Sequence, residues 1–256
     1  AGADSVGILA PSYFRLGDAR FEIAAAARGA SRREGFARAA EAYERAVQTA
    51  DTTGDIYFLS LYKLGWSYYN QANRSNQAEY RQAVETFGRL VQAYDRLTPE
   101  QQSRLGLRSE ALEYMAVAFT QVGGAEAANQ YFARAGGEEY RRQVIGRVAA
   151  SLSDQGAFPE AVQAYREYIA LAPTDTAALS AQIQIVDILQ NRMIEPEQAQ
   201  AARLALVERF GPQSEWARAN PQLAQRADSA REAALRQSAQ FLLASAQQGN
   251  RARYAE

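Results

Sequence analysis

Residues 61–71 read LYKLGWSYYNQ, and the apolar side chains of this segment fall into two stripes at a helical period. One face carries the positions i, i+3, i+4 and i+7, which are Leu61, Leu64, Gly65 and Tyr68. A second stripe, about 100° further round the helix, holds Tyr62, Trp66 and Tyr69. A helix that is apolar on two sides has to touch two neighbours, or to touch one and offer its other face to a partner. We expect the first stripe to be core.

A large apolar residue followed by a small one recurs in the same frame at four places in the chain. The four pairs are Leu16-Gly17, Leu64-Gly65, Met115-Ala116 and Val148-Ala149. Each pair precedes a second helical segment that has an alanine, an aromatic residue four positions later and a third residue three beyond it. These segments are Ala39-Tyr43-Ala46, Ala83-Phe87-Leu90, Ala128-Phe132-Ala135 and Ala161-Tyr165-Tyr168. The recurrence predicts stacked helix pairs, with small residues where backbones approach closely and aromatic rings in the wedge between units.

This pattern resembles the tetratricopeptide repeat (TPR) family, whose unit of about 34 residues is a pair of antiparallel helices. The unit at 141–174 matches the family best, from Ile145 to Pro173. The resemblance implies an all-α fold, a right-handed superhelical solenoid of antiparallel helix pairs whose concave surface is lined by the first helix of each pair. It covers residues 11–173 well and the rest of the chain loosely.

We expect one α-solenoid domain over residues 1–256. Its predicted units are 11–51, 55–95, 107–137, 141–174, a degenerate unit at 176–214, and 221–256, which is a cap or a truncated unit. Extra residues in the first two units, AARGASRREG and NQANRSNQ, are expected to lengthen the turn or both helices. For residues 238–256 we favour a helix followed by the start of another, which makes the chain part of a longer protein or assembly.

The composition excludes several kinds of chemistry. The chain has no Cys and no His, so it cannot form a disulfide, a thiolate nucleophile, a Cys/His zinc site or an imidazole base. It also lacks a Gly-rich phosphate loop and metal ligands at a telling spacing, and we expect neither an enzyme nor a cofactor. The net charge of −1, without a basic stripe, argues against nucleic acid as a partner.

Two weaker signals concern the location of the protein. The sequence has no run of about 18 apolar residues, so we expect no insertion of this segment into a membrane. It begins with Ala instead of Met, and the stretch LVERFGPQSEW resembles segments of bacterial cell-envelope repeat proteins. Both features favour a periplasmic or cell-envelope location over a cytoplasmic one.

The candidate partner-binding residues occupy the inward positions of the first helices, as the family resemblance implies. They are Phe14, Asp18, Phe21, Tyr62, Trp66, Tyr69, Asn70, Glu113, Val117 and Thr120. Tyr62, Trp66 and Tyr69 would form an aromatic floor that accepts an apolar or extended peptide, since Trp and Tyr combine a large contact area with a polar tip. The alternative is that these three rings pack against a neighbouring helix as core.

Two charged clusters have a plain structural explanation. Residues 138–142 (EEYRR) contain two carboxylates and two guanidinium groups, and we interpret them as a solvated helix start because acids are favourable in a first turn. Residues 32–34 (RRE) are interpreted as a solvated loop within the first insertion.

The function expected from the sequence is that of a non-enzymatic scaffold, which binds another protein or peptide on its concave surface. The alternative is a structural or assembly subunit that makes contacts by its ends and convex face, without a peptide groove.

Overall fold

The computed structural model describes the backbone of residues 3–73 and 77–255, and the side chains of residues 7–73 and 77–247. The chain is helical over most of this range, and no strand occurs in it. The predicted all-α class is therefore confirmed. None of the helices within the described range is long and apolar enough to cross a membrane.

The chain divides into two compact units, Ala1–Ser151 and Leu152–Glu256, where the sequence suggested one continuous domain. The helices that begin in the first unit are α1 (Ala3–Ala26), α2 (Gly29–Thr49), α3 (Asp55–Gln71), α4 (Ala78–Tyr94), α5 (Pro99–Leu105), α6 (Arg108–Thr120), α7 (Gly124–Ala135) and α8 (Glu138–Asp154). Helices that follow one another pack together: α1 on α2, α2 on α3, α3 on α4, α4 on α6, and α6 on α7.

The recurring small residues make room for an aromatic ring of the next helix. A Cβ atom on Gly17 would stand 2.6 Å from the Tyr43 ring, and one on Gly65 would stand 2.7 Å from the Phe87 ring. Both aromatic residues thus fill the space within their own helix pair, where the sequence predicted the wedge between units. Phe87 also reaches the next pair, since its ring centroid lies 6.1 Å from that of Tyr114 on α6.

The first insertion lengthens both helices of its pair. α1 continues to Ala26 and α2 begins at Gly29, which has a positive φ of 60°, so only two residues lie between them. Residues 32–34 are therefore on α2, and the prediction of a solvated loop there is wrong. In the second insertion α3 ends at Gln71 and α4 begins at Ala78, while 74–76 lie outside the described residues.

A short helix that the sequence did not indicate, α5, stands between α4 and α6. Thr98 caps it: its hydroxyl accepts a hydrogen bond from the Gln101 N–H, while the Gln101 side chain accepts one from the Thr98 N–H. This capping box is the sequence signature T-x-x-Q, which marks a helix start. Gly106, at φ 62°, ends α5 in a left-handed turn.

The second unit contains α9 (Phe158–Leu171), α10 (Thr176–Asp187), a π-helical turn (Ile188–Arg192), α11 (Pro196–Arg209), α12 (Glu215–Ala219), a 3₁₀ turn (Pro221–Leu223) and α13 (Ala224–Ala255). α9 packs on α10, α10 on α11, and α11 on α13. The predicted helices at 176–191 and 196–210 are present, and Pro196 opens α11 as expected. Trp216 anchors α12, because its buried indole donates a hydrogen bond to the Asp175 carbonyl at 2.7 Å.

α13 runs without interruption through the region in which the sequence suggested two helices. The expected start of a second helix within 238–256 is wrong, since one helix continues to Ala255. Gly249 was the only helix-breaking residue there. A single glycine costs a helix about 1 kcal/mol relative to alanine, which is not enough to end it.

Candidate functional site

Five aromatic side chains from three helices form one continuous row in the first unit. This aromatic cluster consists of Tyr62, Trp66 and Tyr69 on α3, Tyr80 on α4 and Tyr114 on α6. Ring centroids are 5.3 Å apart between Tyr80 and Tyr69, and 5.8 Å apart between Tyr69 and Trp66. The row continues from Trp66 to Tyr114 at 4.2 Å and from Tyr114 to Tyr62 at 6.1 Å.

The cluster is neither core nor a free surface, because all five side chains are partly exposed. Each ring is held by its neighbours in tilted or edge-on contacts, which are favourable geometries for aromatic pairs. The hydroxyl groups of Tyr69, Tyr80 and Tyr114 make no hydrogen bond within the described residues. The cluster therefore combines fixed rings with hydroxyl groups that are available to another molecule.

Two phenols of the cluster, Tyr62 and Tyr69, have a raised pKa and stay protonated at neutral pH. Burial raises the pKa of Tyr62, against an opposing effect of Trp66, and the Glu110 carboxylate raises it further. The Tyr62 hydroxyl donates to Glu110 Oε2 at 2.8 Å. Burial also raises the pKa of Tyr69, and Tyr80 adds to the rise. These groups are thus neutral hydrogen-bond donors, and nothing in their surroundings prepares them for acid–base chemistry.

Asn70, which the sequence placed in the binding surface, ties α3 to α2. Its Oδ1 accepts a hydrogen bond from Arg32 Nη2 at 3.0 Å, and its Nδ2 donates to the Trp66 carbonyl at 2.9 Å. The Arg32 guanidinium also donates to the Ala25 carbonyl and lies 5.0 Å from the centroid of the Phe36 ring. Asn70 and Arg32 consequently hold the helices beside the cluster and have little capacity left for a ligand.

The predicted binding residues of α1 interact with α2. The Phe14 ring lies 5.9 Å from that of Tyr43, and Asp18 Oδ1 accepts a hydrogen bond from the Tyr43 hydroxyl at 2.6 Å. The Phe21 ring stands edge-on to Phe36 at 5.0 Å. Since these interactions are made within the α1–α2 pair, the three residues do not join the aromatic cluster.

The predicted binding residues of α6 lie on the same helix as Tyr114. Glu113 is exposed and pairs with Arg147 Nε of α8 at 3.3 Å. Val117 and Thr120 are partly exposed, and the Thr120 hydroxyl donates to the Val117 carbonyl at 2.8 Å. None of these three residues contributes a ring to the aromatic cluster, and Glu113 and Thr120 add polar groups to the surface of α6.

Tyr80 and Tyr114 were missed as candidate residues from the sequence. Tyr114 directly follows Glu113, the position chosen as inward, and one residue turns a helix by about 100°. Tyr80 follows the second insertion, which obscures the register of α4. No pattern in the chain links either residue to α3, because their proximity arises only when α4 and α6 pack beside it.

The acidic and basic residues at 138–142 occupy a helix start, as predicted. Glu138 and Glu139 are exposed in the first turn of α8, and Glu138 pairs with Arg141 at 3.1 Å. Across the described ranges, no three acidic side chains come together in a way that could hold a metal ion.

A pocket of about 310 Å³ is lined by residues of α4, α6 and α7 and by none of the five residues of the cluster. Its charged residues are Arg81, Glu85 and Arg134, and Tyr131 forms part of its wall. Because the charges are of both signs, the pocket fits no single class of ligand, and the aromatic cluster is the stronger candidate site.

Comparison with models of known protein families and with curated proteins gave no match for this chain.

Proposed function

We propose that this protein is a non-enzymatic interaction module, an α-solenoid of the TPR type that binds another protein or peptide through the aromatic cluster. The observation that carries the proposal is the row of five partly exposed Tyr and Trp rings from α3, α4 and α6. The packing of helices in chain order and the glycine–aromatic pairs support the TPR-type architecture.

The rings suit binding because they are already ordered. Association costs free energy for each side chain that becomes immobilised, about 0.5–1.5 kcal/mol for a flexible one. The contacts of Trp66 with Tyr69 and Tyr114 already immobilise its side chain when the chain folds, so that binding a partner does not add this cost. Tyr and Trp are also the residue types that contribute most to protein interfaces, since they give a large contact area and a polar group.

The polar groups of the cluster define the chemistry of the partner. Three free hydroxyls, those of Tyr69, Tyr80 and Tyr114, border an apolar row of rings, and Glu110 and Glu113 are exposed on α6 nearby in sequence. Such a surface favours an extended peptide segment that lays apolar side chains on the rings and whose backbone carbonyls accept hydrogen bonds.

The test removes the hydroxyls and keeps the rings. Replacing Trp66 by Ala would also remove packing against Tyr114, so a loss of binding could reflect misfolding. The triple variant Tyr69→Phe, Tyr80→Phe, Tyr114→Phe preserves the aromatic contacts. A net hydrogen bond contributes about 0.5–1.5 kcal/mol, so we expect the three changes together to weaken a captured partner at least about tenfold.

Partner proteins would be captured on the wild-type chain from a lysate of the source cells, identified, purified and titrated against each variant by calorimetry. Tyr57→Phe is the matched control, because Tyr57 is also on α3 but is absent from the cluster. Circular dichroism would verify that all variants fold alike. If the purified partner bound the folded triple variant as tightly as the wild type, the cluster would not be the binding surface.

A further inference from the structure

The outward face of α1 carries a mostly apolar stripe that the rest of the described chain leaves exposed. The α1 stripe consists of Leu9, Ser12, Leu16, Ala19 and Ile23, all of which are exposed. Its three large residues are 41%, 42% and 71% exposed, in chain order. They recur every seven residues, with a small side chain three positions after each of the first two.

The stripe is distinct from the face by which α1 packs in the fold. Ala10, Gly17 and Ala24 each follow a stripe residue, about 100° further round α1, and all three are buried. Gly17 and Ala24 lie against Tyr43 and Gly35 of α2. α1 is thus apolar on two sides, like α3, but only the side that faces α2 is buried. Single exposed apolar residues are common on protein surfaces, whereas a contiguous row marks an interaction surface.

The spacing of the stripe is that of a coiled-coil seam. In a heptad repeat, apolar residues at a and d form the seam, and the flanking e and g positions carry charges that select the partner. With Leu9, Leu16 and Ile23 at a, Ser12 and Ala19 occupy d. The small d residues let a second helix approach closely.

The charged residues beside the stripe complement those of a second α1 helix when the two helices are antiparallel. Arg15 and Glu22 are both g positions, both are exposed, and neither makes an ion pair or a hydrogen bond within the described residues. In an antiparallel pair centred between Leu16 and Ala19, g positions face each other. Arg15 of one helix then lies opposite Glu22 of the other, and the two-fold axis generates the contact twice.

The parallel orientation is unfavourable for the same sequence. There, a g residue faces the e residue five positions later in the other helix, which sets Arg15 against Arg20. Like charges in such positions oppose association. Arg20 is moreover occupied within its own chain, since its Nη1 donates to the Arg38 carbonyl at 2.8 Å.

We propose that the α1 stripe binds the α1 stripe of a second copy of this chain, with the two helices antiparallel about a two-fold axis. The contact is isologous, because the same surface serves on both copies. The described seam, residues 8–26, is about 28 Å long and has fewer than three heptads, so the dimer is weak and depends on concentration. This surface is separate from the aromatic cluster, and the inference does not rest on the proposed function.

Sedimentation equilibrium on the 256-residue chain tests the proposal directly. The wild type should pass from monomer to dimer as its concentration rises into the range of tens to hundreds of micromolar. Arg15→Glu and Glu22→Arg should each raise the dissociation constant at least about tenfold, because each sets like charges opposite one another twice. An equimolar mixture of these two variants should recover a dimer of wild-type affinity, since opposite charges then face each other at both places.

The control for the seam is a matched pair of leucine variants. Leu16→Glu should abolish dimerisation, and Leu204→Glu, at a leucine 51% exposed on α11, should leave it unchanged. Circular dichroism would verify that both remain folded. A chain that stays monomeric at the highest concentration would overturn the proposal, as would single charge variants whose mixture shows no recovery. The proposal would also be overturned if the wild type formed oligomers larger than a dimer and the Leu242→Glu variant on α13 did not. The contact would then join two different surfaces.

Discussion

The Phe87 ring lies directly against Gly65: its Cε1 and Cζ atoms are 2.7 Å from the place where a Cβ atom would stand on the glycine. Real Cβ atoms do not approach a ring so closely. Phe87 is fully buried, and it is in contact with both Tyr62 of α3 and Tyr114 of α6. The glycine therefore sets the distance between α3 and α4, and with it the position of the aromatic cluster.

Gly65→Ala is expected to destabilise the first unit. The added methyl group would force Phe87 or a helix to move, and overpacking of a core costs typically about 1–3 kcal/mol. Urea unfolding followed by circular dichroism measures the loss. Gly7→Ala on α1 is the control, since a Cβ atom there meets nothing within 4 Å and alanine favours the helix by up to about 1 kcal/mol. Equal unfolding free energies for the two variants would contradict the close contact.

Trp66 and Trp216 should differ in their accessibility to a quencher. They are the two tryptophans of the chain; Trp66 is partly exposed, whereas Trp216 is 1% exposed. We expect acrylamide to quench one fraction of the fluorescence readily and to leave another protected. Trp66→Phe, which keeps a ring at that position, should remove the accessible fraction. A single, uniformly quenched population in the wild type would show that the two environments are alike.

The free energy of unfolding should fall at alkaline pH through Tyr43. Burial raises the pKa of Tyr43 far above its usual range, and Asp18, which accepts its hydrogen bond, raises it further. Because the folded pKa exceeds the unfolded value of about 10, the protonated phenol stabilises the fold fully below that pH. The stabilisation is then lost as the pH rises further.

Urea titrations at a series of pH values from 8 upward would measure this effect. Above pH 10 the wild type should lose stability more steeply than Tyr43→Phe, by up to about 1.4 kcal/mol per pH unit for one proton. The phenylalanine variant starts from a lower stability at pH 8, since it lacks the hydrogen bond to Asp18. Parallel curves for the two proteins would refute a buried, protonated Tyr43.

Helix α3 illustrates which features of the candidate site could be predicted from the sequence and which could not. Most of the core stripe of α3 was predictable, because Leu61, Leu64 and Gly65 repeat at a helical period and are indeed buried. Tyr68, the fourth residue of the stripe, is instead partly exposed, and its hydroxyl donates a hydrogen bond to Glu44. The second stripe was also predictable as an aromatic face. Whether this aromatic face is core or surface was not predictable, because the partial burial of Trp66 depends on Tyr114, which approaches from another helix.

Arg32 lies in a segment whose composition predicts a loop but which is helical in the structure. A basic, glycine-flanked segment such as GASRREG has the composition of a solvated loop. The structure continues α2 through it, because Arg32 gains hydrogen bonds to the Ala25 carbonyl and to Asn70 and lies over the Phe36 ring. These partners lie on α1, α2 and α3, so no window of the sequence contains them all.

The sequence by itself determined the helical class, the helix pairs and the small residues at which the helices of a pair approach closely. These features follow from the period of the apolar residues and from side-chain size, which are properties of short segments. Only the tertiary structure decided that Tyr80 and Tyr114 complete the aromatic cluster, that Phe14 and Phe21 turn to α2, and that Leu16 faces outward. The physical reason is that exposure and contact depend on which helix lies alongside, and that neighbour is chosen by the packing of the unit as a whole.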